Sequence, residues 1–353
     1  MRRVFWLVLA AAACAHTEPF GFTPESQAGA HEPYAWEQLT FNPGDDLDPA
    51  WYPDGSAFIY AMERRDRPDH DRCLAVMPAA GGTIRSLTCE LKPSSVDTMD
   101  VFAVPSPGPD GRVAFLYSTF DLFRLTNYYT RWLVVGGLDS PLVRHNRLIG
   151  YPYVPNGGYE HDGIGEIRWL SPTRLAYQAT LPHYPLCKTC RPDAATPVQI
   201  VLVDIGGDTA VSEVVPNTIY ATSMAFAGSD TLYYTILGDG RVFRRVLSTG
   251  QDTLLRDFGP TTIARDVQVR GSRVVVIVDG IVSVEYLPGM GYVQNDDGGV
   301  IHILDLDSGV ESVVGAGGRL FRRGALSPDG HQLLAESWDS ASLDWDIWSI
   351  RLP

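Results

Sequence analysis

Trp51-Tyr52-Pro53-Asp54-Gly55, running into Ser56-Ala57-Phe58-Ile59-Tyr60, decides the fold, because the chain repeats it. Leu326-Ser327-Pro328-Asp329-Gly330 runs into His331-Gln332-Leu333-Leu334-Ala335, and Pro109-Asp110-Gly111 precedes Val113-Ala114-Phe115-Leu116-Tyr117. Pro presets one turn dihedral and Gly supplies a positive one, so each copy reads as a tight turn between two strands. A turn recurring at long intervals in a strand-rich chain signals a repeat architecture.

Degenerate copies fill the interval. Leu170-Ser171-Pro172-Thr173, Phe226-Ala227-Gly228-Ser229-Asp230 and Val269-Arg270-Gly271-Ser272 each precede another apolar run. Six turns between Asp54 and Asp329 recur about every 55 residues, slightly more than the ~40–50 of a propeller blade. A third strand follows each, clearest in Leu74–Met77, Trp132–Val135, Ile200–Val203, Val242–Val246, Ile301–Leu304 and Ile347–Ile350. The pattern predicts an all-β domain over 34–353, a six-bladed β-propeller of four-stranded antiparallel blades. The last blade has three strands of its own. Glu37-Gln38-Leu39-Thr40 is expected to pair with 347–351 as its fourth, closing the ring and covering an exposed edge. No amphipathic helix stands out.

Met1-Arg2-Arg3 followed by the apolar run Val4–Ala13 reads as a secretory signal peptide over 1–13. Ala11-Ala12-Ala13-Cys14 is similar to a lipobox, although Ala11 stands where Leu is usual, so Cys14 is a candidate lipidation site with 14–33 as a tether. Ordinary cleavage near Ala13 or Ala15 is the alternative. No later segment has eighteen uninterrupted apolar residues. Removing 1–13 takes away two arginines and no acid, moving the formal charge from −14 to −16. That balance speaks against nucleic acid or anionic lipid as partners, since both reward Lys and Arg. Four cysteines remain. Cys73 and Cys89 are equidistant from Gly81, so a hairpin centred there would face them for a disulfide. Cys187-Lys188-Thr189-Cys190 reads as a local disulfide pinning a loop; redox and zinc readings lack the βαβ context or second CxxC they need.

The order strand, Ser-Pro-Asp-Gly, strand, Asp-Ile-Trp strand, Gly-Gly turn, Leu-Thr resembles the TolB-like β-propeller repeat. It is carried by Ser327–Gly330 with Asp346-Ile347-Trp348, and by Pro53–Gly55 with Gly81-Gly82 and Leu87-Thr88. The match is good in the first and last blades, fair in the second and weak in the middle three. The resemblance implies a periplasmic or lipid-anchored bacterial protein, without the amino-terminal α/β domain that TolB itself carries.

Catalytic motifs are missing: no Gly-x-Ser-x-Gly elbow, no His-Glu-x-x-His, no phosphate-binding Gly loop and no EF-hand loop. Counting back five from each turn gives the residues expected where innermost strands enter the central channel. These are Asp48, Ile167, Ser223, Asp266 and Arg323, with Asp100 and Glu166 close to the same level. Such a mouth could hold a peptide terminus, a metal or water. Asp45-Asp46-Leu47-Asp48 and Asn295–Gly299 read as acidic turns. Tyr151, Tyr153 and Tyr159, and Tyr292 within 286–295, are candidate partner-binding residues on inserted loops, Tyr being an efficient contact residue. Packing on neighbouring blades is the equal alternative.

The sequence therefore reads as a non-catalytic, monomeric protein-binding or scaffolding propeller of the bacterial envelope, with an envelope protein as partner and with no cofactor or resident metal. Two alternatives stand beside it. One is a metal-dependent lyase or hydrolase, which would require His161, Glu166 and Asp266 to converge on a metal. The other is a carbohydrate-binding propeller using aromatic loop residues.

Overall fold

The computed structural model describes residues 23–24, 36–64, 72–88, 98–121, 130–136, 143–148, 166–180, 198–206, 211–218, 220–287, 291–314, 321–339 and 344–352. Residues 1–13, Cys14, Cys89, Tyr151, Tyr153, Tyr159, His161, Cys187 and Cys190 lie outside the described residues.

All three Pro-Asp-Gly copies form the expected turns. Gly55, Gly111 and Gly330 have φ of 71°, 82° and 76°, and Gly55 N–H donates to Tyr52 O at 2.9 Å while Gly330 N–H donates to Ser327 O at 2.9 Å. The turn Asp is fixed by its own loop: Asp54 Oδ1 accepts from Ser56 N–H at 3.0 Å, and Asp329 Oδ1 from His331 N–H at 3.0 Å. The Ser56 N–H bond holds the Asp54 carboxyl below the usual carboxylate range, and the Ser327 hydroxyl, donating to Asp329 Oδ1 at 2.5 Å, with the His331 N–H does the same for Asp329.

Ile167–Ser171, Arg174–Thr180, Val198–Asp204 and Val211–Val214 form one four-stranded sheet, and Ala221–Ala227, Thr231–Ile236, Arg241–Val246 and Gln251–Asp257 form a second. A third runs in the order Glu37–Gln38, Asp344–Arg351, Gln332–Asp339, Phe321–Leu326. Thr262–Arg270, Arg273–Leu287, Gly291–Asp305 and Val310–Val314 gain Thr23–Pro24 as a parallel fifth strand. The largest sheet joins the group Asp46–Trp51, Ala57–Glu63, Arg72–Pro78 and Arg85–Ser86 to the group Thr98–Pro107, Val113–Asp121, Thr130–Gly136 and Val143–Leu148.

The expectation of six separate, wholly antiparallel four-stranded blades is corrected by this bonding. The described strands make five sheets, only three of them four-stranded. The reason is a short outer strand. Arg85 and Ser86 oppose Val76 and Ala75, and Leu87 N–H donates to Leu74 O at 2.8 Å, where the outer strand stops. The start of Arg72–Pro78 keeps an open edge, and Val101 takes it in a parallel pair with Arg72. The same register places the hairpin centre half a residue from Gly81. Cys73 is buried and disulfide-bonded. The reading of 286–295 as an inserted loop is also corrected for its described residues: 286–287 and 291–295 are strand, with Tyr292 paired to Tyr286 in a long ladder that runs on to Leu287 opposite Gly291. Asn295 and Asp296 lie within that ladder, so no turn forms at 295–299. Glu37 and Gln38 pair with Ser349 and Trp348, and Leu39 N–H donates to Ile347 O at 2.9 Å.

Second strands are buried on both faces, which explains their unbroken apolar runs. Phe58 and Tyr60 pack with Ala325, Leu334 and Ile347, whereas Ile59 between them packs with Phe102, Val113 and Phe115. Val274, Val276 and Val278 face one neighbour; Val275 and Ile277 face the other with Phe321 and Leu333. Leu175 and Tyr177 likewise diverge from Ala176. Period-two geometry thus sends adjacent residues into different cores. Phe58→Ala and Ile59→Ala are each expected to lower unfolding free energy by ~2–5 kcal/mol in urea titrations. Tolerance of either truncation would contradict two-sided burial.

Candidate functional site

The strands Asp46–Trp51, Thr98–Pro107, Ile167–Ser171, Ala221–Ala227, Thr262–Arg270 and Phe321–Leu326 each come first in their strand group; five are paired on one side only, and Thr98–Pro107 adds to its ladder the single Val101–Arg72 pair. An edge strand needs acceptors for its outward N–H groups. All six carry a register shift, at Leu47/Ala50, Ala103/Ser106, Trp169/Ser171, Ala221/Ser223, Ala264/Asp266 and Phe321/Gly324. Bulges re-aim side chains, and here they turn polar groups towards the next edge strand.

Asp48 Oδ2 accepts from Val104 N–H at 3.1 Å, and Glu166 Oε2 from Met224 N–H at 2.9 Å. Ser223 Oγ accepts from Val267 N–H at 3.0 Å, and Asp266 Oδ2 from Gly324 N–H at 2.5 Å. Glu336 Oε1 then accepts from Asp48 N–H at 2.5 Å. Val104 has no acceptor of its own; there Trp169 Nε1–H donates to Ser106 O at 2.7 Å instead. Asp48 and Val104 have φ of 55° and 52°, a conformation uncommon for any non-glycine residue and strained for a β-branched one. Both are held there by their neighbours' side chains.

Glu166, Ser223 and Asp266 form the densest part. Ser223 Oγ lies 2.8 Å from Glu166 Oε1 and 2.8 Å from Asp266 Oδ1 while it accepts from Val267 N–H. One hydroxyl carries one proton and cannot donate to two carboxylates. The pair must therefore keep a second proton, which one carboxyl donates to Oγ. Burial, opposed by Arg168 and reinforced by the Asp266 charge, pushes Glu166 up to about 8, so Glu166 holds it at neutral pH. Arg168 lies 3.3 Å from Glu166 Oε2, and Gln268 Nε2–H donates to Asp266 Oδ1 at 3.0 Å.

Of the expected channel residues, Glu166, Ser223 and Asp266 thus converge, and Asp48 pairs with Arg323. Ile167 does not join them; it is buried in an apolar cluster with Leu175 and Val203. Asp100 lies in Thr98–Pro107 opposite Thr119. The acids Asp46 and Asp346 serve elsewhere: Asn42 Nδ2–H donates to Asp46 at 2.7 and 2.8 Å, and Gln38 Nε2–H donates to Asp346 Oδ2 at 3.0 Å. Burial holds Asp46 well above the usual carboxylate range. Sequence reasoning missed Glu336 and Arg322, because counting from turns marks first strands and Glu336 is on a second. Arg168 and Gln268, two residues beyond Glu166 and Asp266, were within reach of the same count. Among the described residues no group of three or more His, Cys, Asp or Glu is arranged to hold a metal.

No known family profile and no curated protein sequence matches the chain. Solved structures do. A gluconolactonase from Xanthomonas campestris aligns at a TM-score of 0.53 and 12% identity, over 91% of this chain and 90% of that one. The calcium-binding protein regucalcin from Agrobacterium tumefaciens aligns at 0.51 and 13%, over 90% and 93%. The fold is a β-propeller. TolB from Acinetobacter baumannii aligns at 0.46 and 11%, over 88% and 64%, which does not single out the TolB-like repeat among propellers.

The retained proton sets a pH dependence. Folded Glu166 keeps its proton up to about 8, whereas the unfolded carboxyl releases it near ~4.3. Between those values the folded state binds more protons, so stability falls as pH rises. Melting temperature is expected to drop from pH 5 to pH 8, and Glu166→Gln to flatten that decline while keeping the fold. An unchanged slope in the variant would contradict the proton assignment.

Proposed function

We propose that the protein is a non-catalytic binding propeller of the bacterial cell envelope, of the TolB-like kind, delivered by a signal peptide and tethered through Cys14. The observation that carries this reading is the engagement of the central acids. Each of Asp48, Glu166, Asp266 and Glu336 accepts a backbone N–H from a neighbouring edge strand. Ser223, the central hydroxyl, is held by three partners and is fully buried. A nucleophile or general base needs access to substrate, and these groups are occupied in joining strands. Recognition then falls to other residues, and Tyr151, Tyr153, Tyr159 and Tyr292 are the ones we assign to a protein partner.

Propeller enzymes bear the same fold, the gluconolactonase among them, so the competing reading is a metal-dependent hydrolase. A photo-crosslinking residue placed at each of the four tyrosines in cells is expected to give a discrete adduct with one envelope protein. In parallel, the purified domain is expected to leave gluconolactone unhydrolysed above background with calcium or zinc. Metal-dependent turnover, together with no adduct at any position, would overturn the proposal.

A further inference from the structure

Phe321–Leu326 departs from its register at its start, where Phe321 opposes Ser337 and Gly324 opposes Ala335. Two consecutive arginines, Arg322 and Arg323, therefore stand against the single residue Glu336. Arg322 Nε–H donates to Glu336 Oε2 at 2.5 Å, and its guanidinium lies 3.8 Å over the Trp345 ring. Trp345 in turn meets Trp338 edge-on, with centroids 5.5 Å apart and planes at 63°. Arg323 Nη1–H donates to Asp48 Oδ1.

Every oxygen of the two carboxylates in this cluster is engaged. Asp48 Oδ1 and Oδ2 take Arg323 and Val104 N–H, and Glu336 Oε1 and Oε2 take Asp48 N–H and Arg322. They are also covered, at 11% and 1% side-chain exposure, whereas Arg323 and Arg322 are 38% and 36% exposed. The buried acids thus orient the guanidiniums and leave their remaining N–H groups facing outward. Among the described residues, Arg322 Nη1 and Nη2 and Arg323 Nε and Nη2 have no hydrogen-bond partner. The Trp338 and Trp345 indole N–H groups are neither bonded to described residues nor buried from solvent. What remains on offer from these four residues is a set of outward-facing donors beside a half-buried aromatic pair.

Donors alone select an oxyanion, the guanidinium fork favours a planar carboxylate, and the tryptophans favour a flat ring. We propose that Arg322, Arg323, Trp338 and Trp345 form a binding site for a carboxylate carried on a sugar or aromatic ring. The net charge of −14 does not favour an anion, so affinity is expected from these local contacts. The site goes beyond the reading of the protein as an envelope binding module and stands or falls separately from it.

The test follows intrinsic tryptophan fluorescence of the folded chain during titration with glucuronate, benzoate, glucose and inorganic phosphate. Saturable quenching by at least one ring carboxylate is expected, with a dissociation constant on the order of 1 mM or tighter. A preference for glucuronate identifies a sugar acid, and a preference for benzoate an aromatic acid. Arg323→Gln is expected to weaken that binding by ~10-fold, the worth of one charge-assisted contact. Trp345→Phe, which keeps the β-strand and an apolar ring, is the second variant and is expected to weaken it as well. No saturation by either acid overturns the proposal. Equal binding of glucose overturns the role of the arginines, and equal binding of phosphate overturns the role of the ring. Unchanged affinity in folded Arg323→Gln and Trp345→Phe proteins places the ligand elsewhere and overturns it too.

Discussion

An edge strand at the centre of this fold has N–H groups that no ladder partner can answer, and the polar interior is organised around them. Asp48, Glu166, Ser223, Asp266 and Glu336 supply the missing acceptors from neighbouring strand groups. Leaving a buried N–H unpaired costs ~1–3 kcal/mol, so each acceptor matters individually. Each bond also joins parts of the chain far apart in sequence, up to 288 residues for Asp48 and Glu336. The apolar clusters between sheets supply most of the burial, and these bonds set how one edge strand sits against the next.

The same arrangement shapes the electrostatics. Removing carboxylates from water is tolerable only where hydrogen bonds and cations answer them. Arg168, Arg322 and Arg323 stand beside Glu166, Glu336 and Asp48 with their heads part-exposed. At Ser223 the number of acceptors exceeds the available hydrogens, and Glu166 balances it by keeping a proton. Acids that resemble a catalytic ring in sequence are thus structural acceptors, while the arginines they orient face outward.

Much of the fold was legible because turn chemistry and strand burial are local and repeated. The Pro-Asp-Gly turns and the two-sided second strands, such as Phe58-Ile59-Tyr60, follow from residue type and period alone. What stayed hidden depends on pairing length. Nothing in Thr83–Thr88 says that its pairing stops at Leu74, so the Arg72 to Val101 connection and the resulting sheet count could not be read. Gly291, Asn295 and Asp296 are turn-like residues that the long ladder nevertheless accommodates. At the centre, counting from turns located Asp48, Ser223 and Asp266 but landed on Ile167 instead of Glu166. The inner-strand bulges add residues whose number a sequence does not show. Glu336 was invisible because its role arises from the bulge opposite, at Arg322 and Arg323.

Amide hydrogen exchange tests the central claim most directly. The N–H groups of Met224, Val267 and Gly324 face away from their own ladders, so without side-chain acceptors they would exchange rapidly. The account predicts protection at all three comparable to paired ladder amides, with Ser223→Ala selectively releasing Val267 while Gly324 stays protected by Asp266. Exchange of these amides at open-edge rates in the unaltered protein would contradict it.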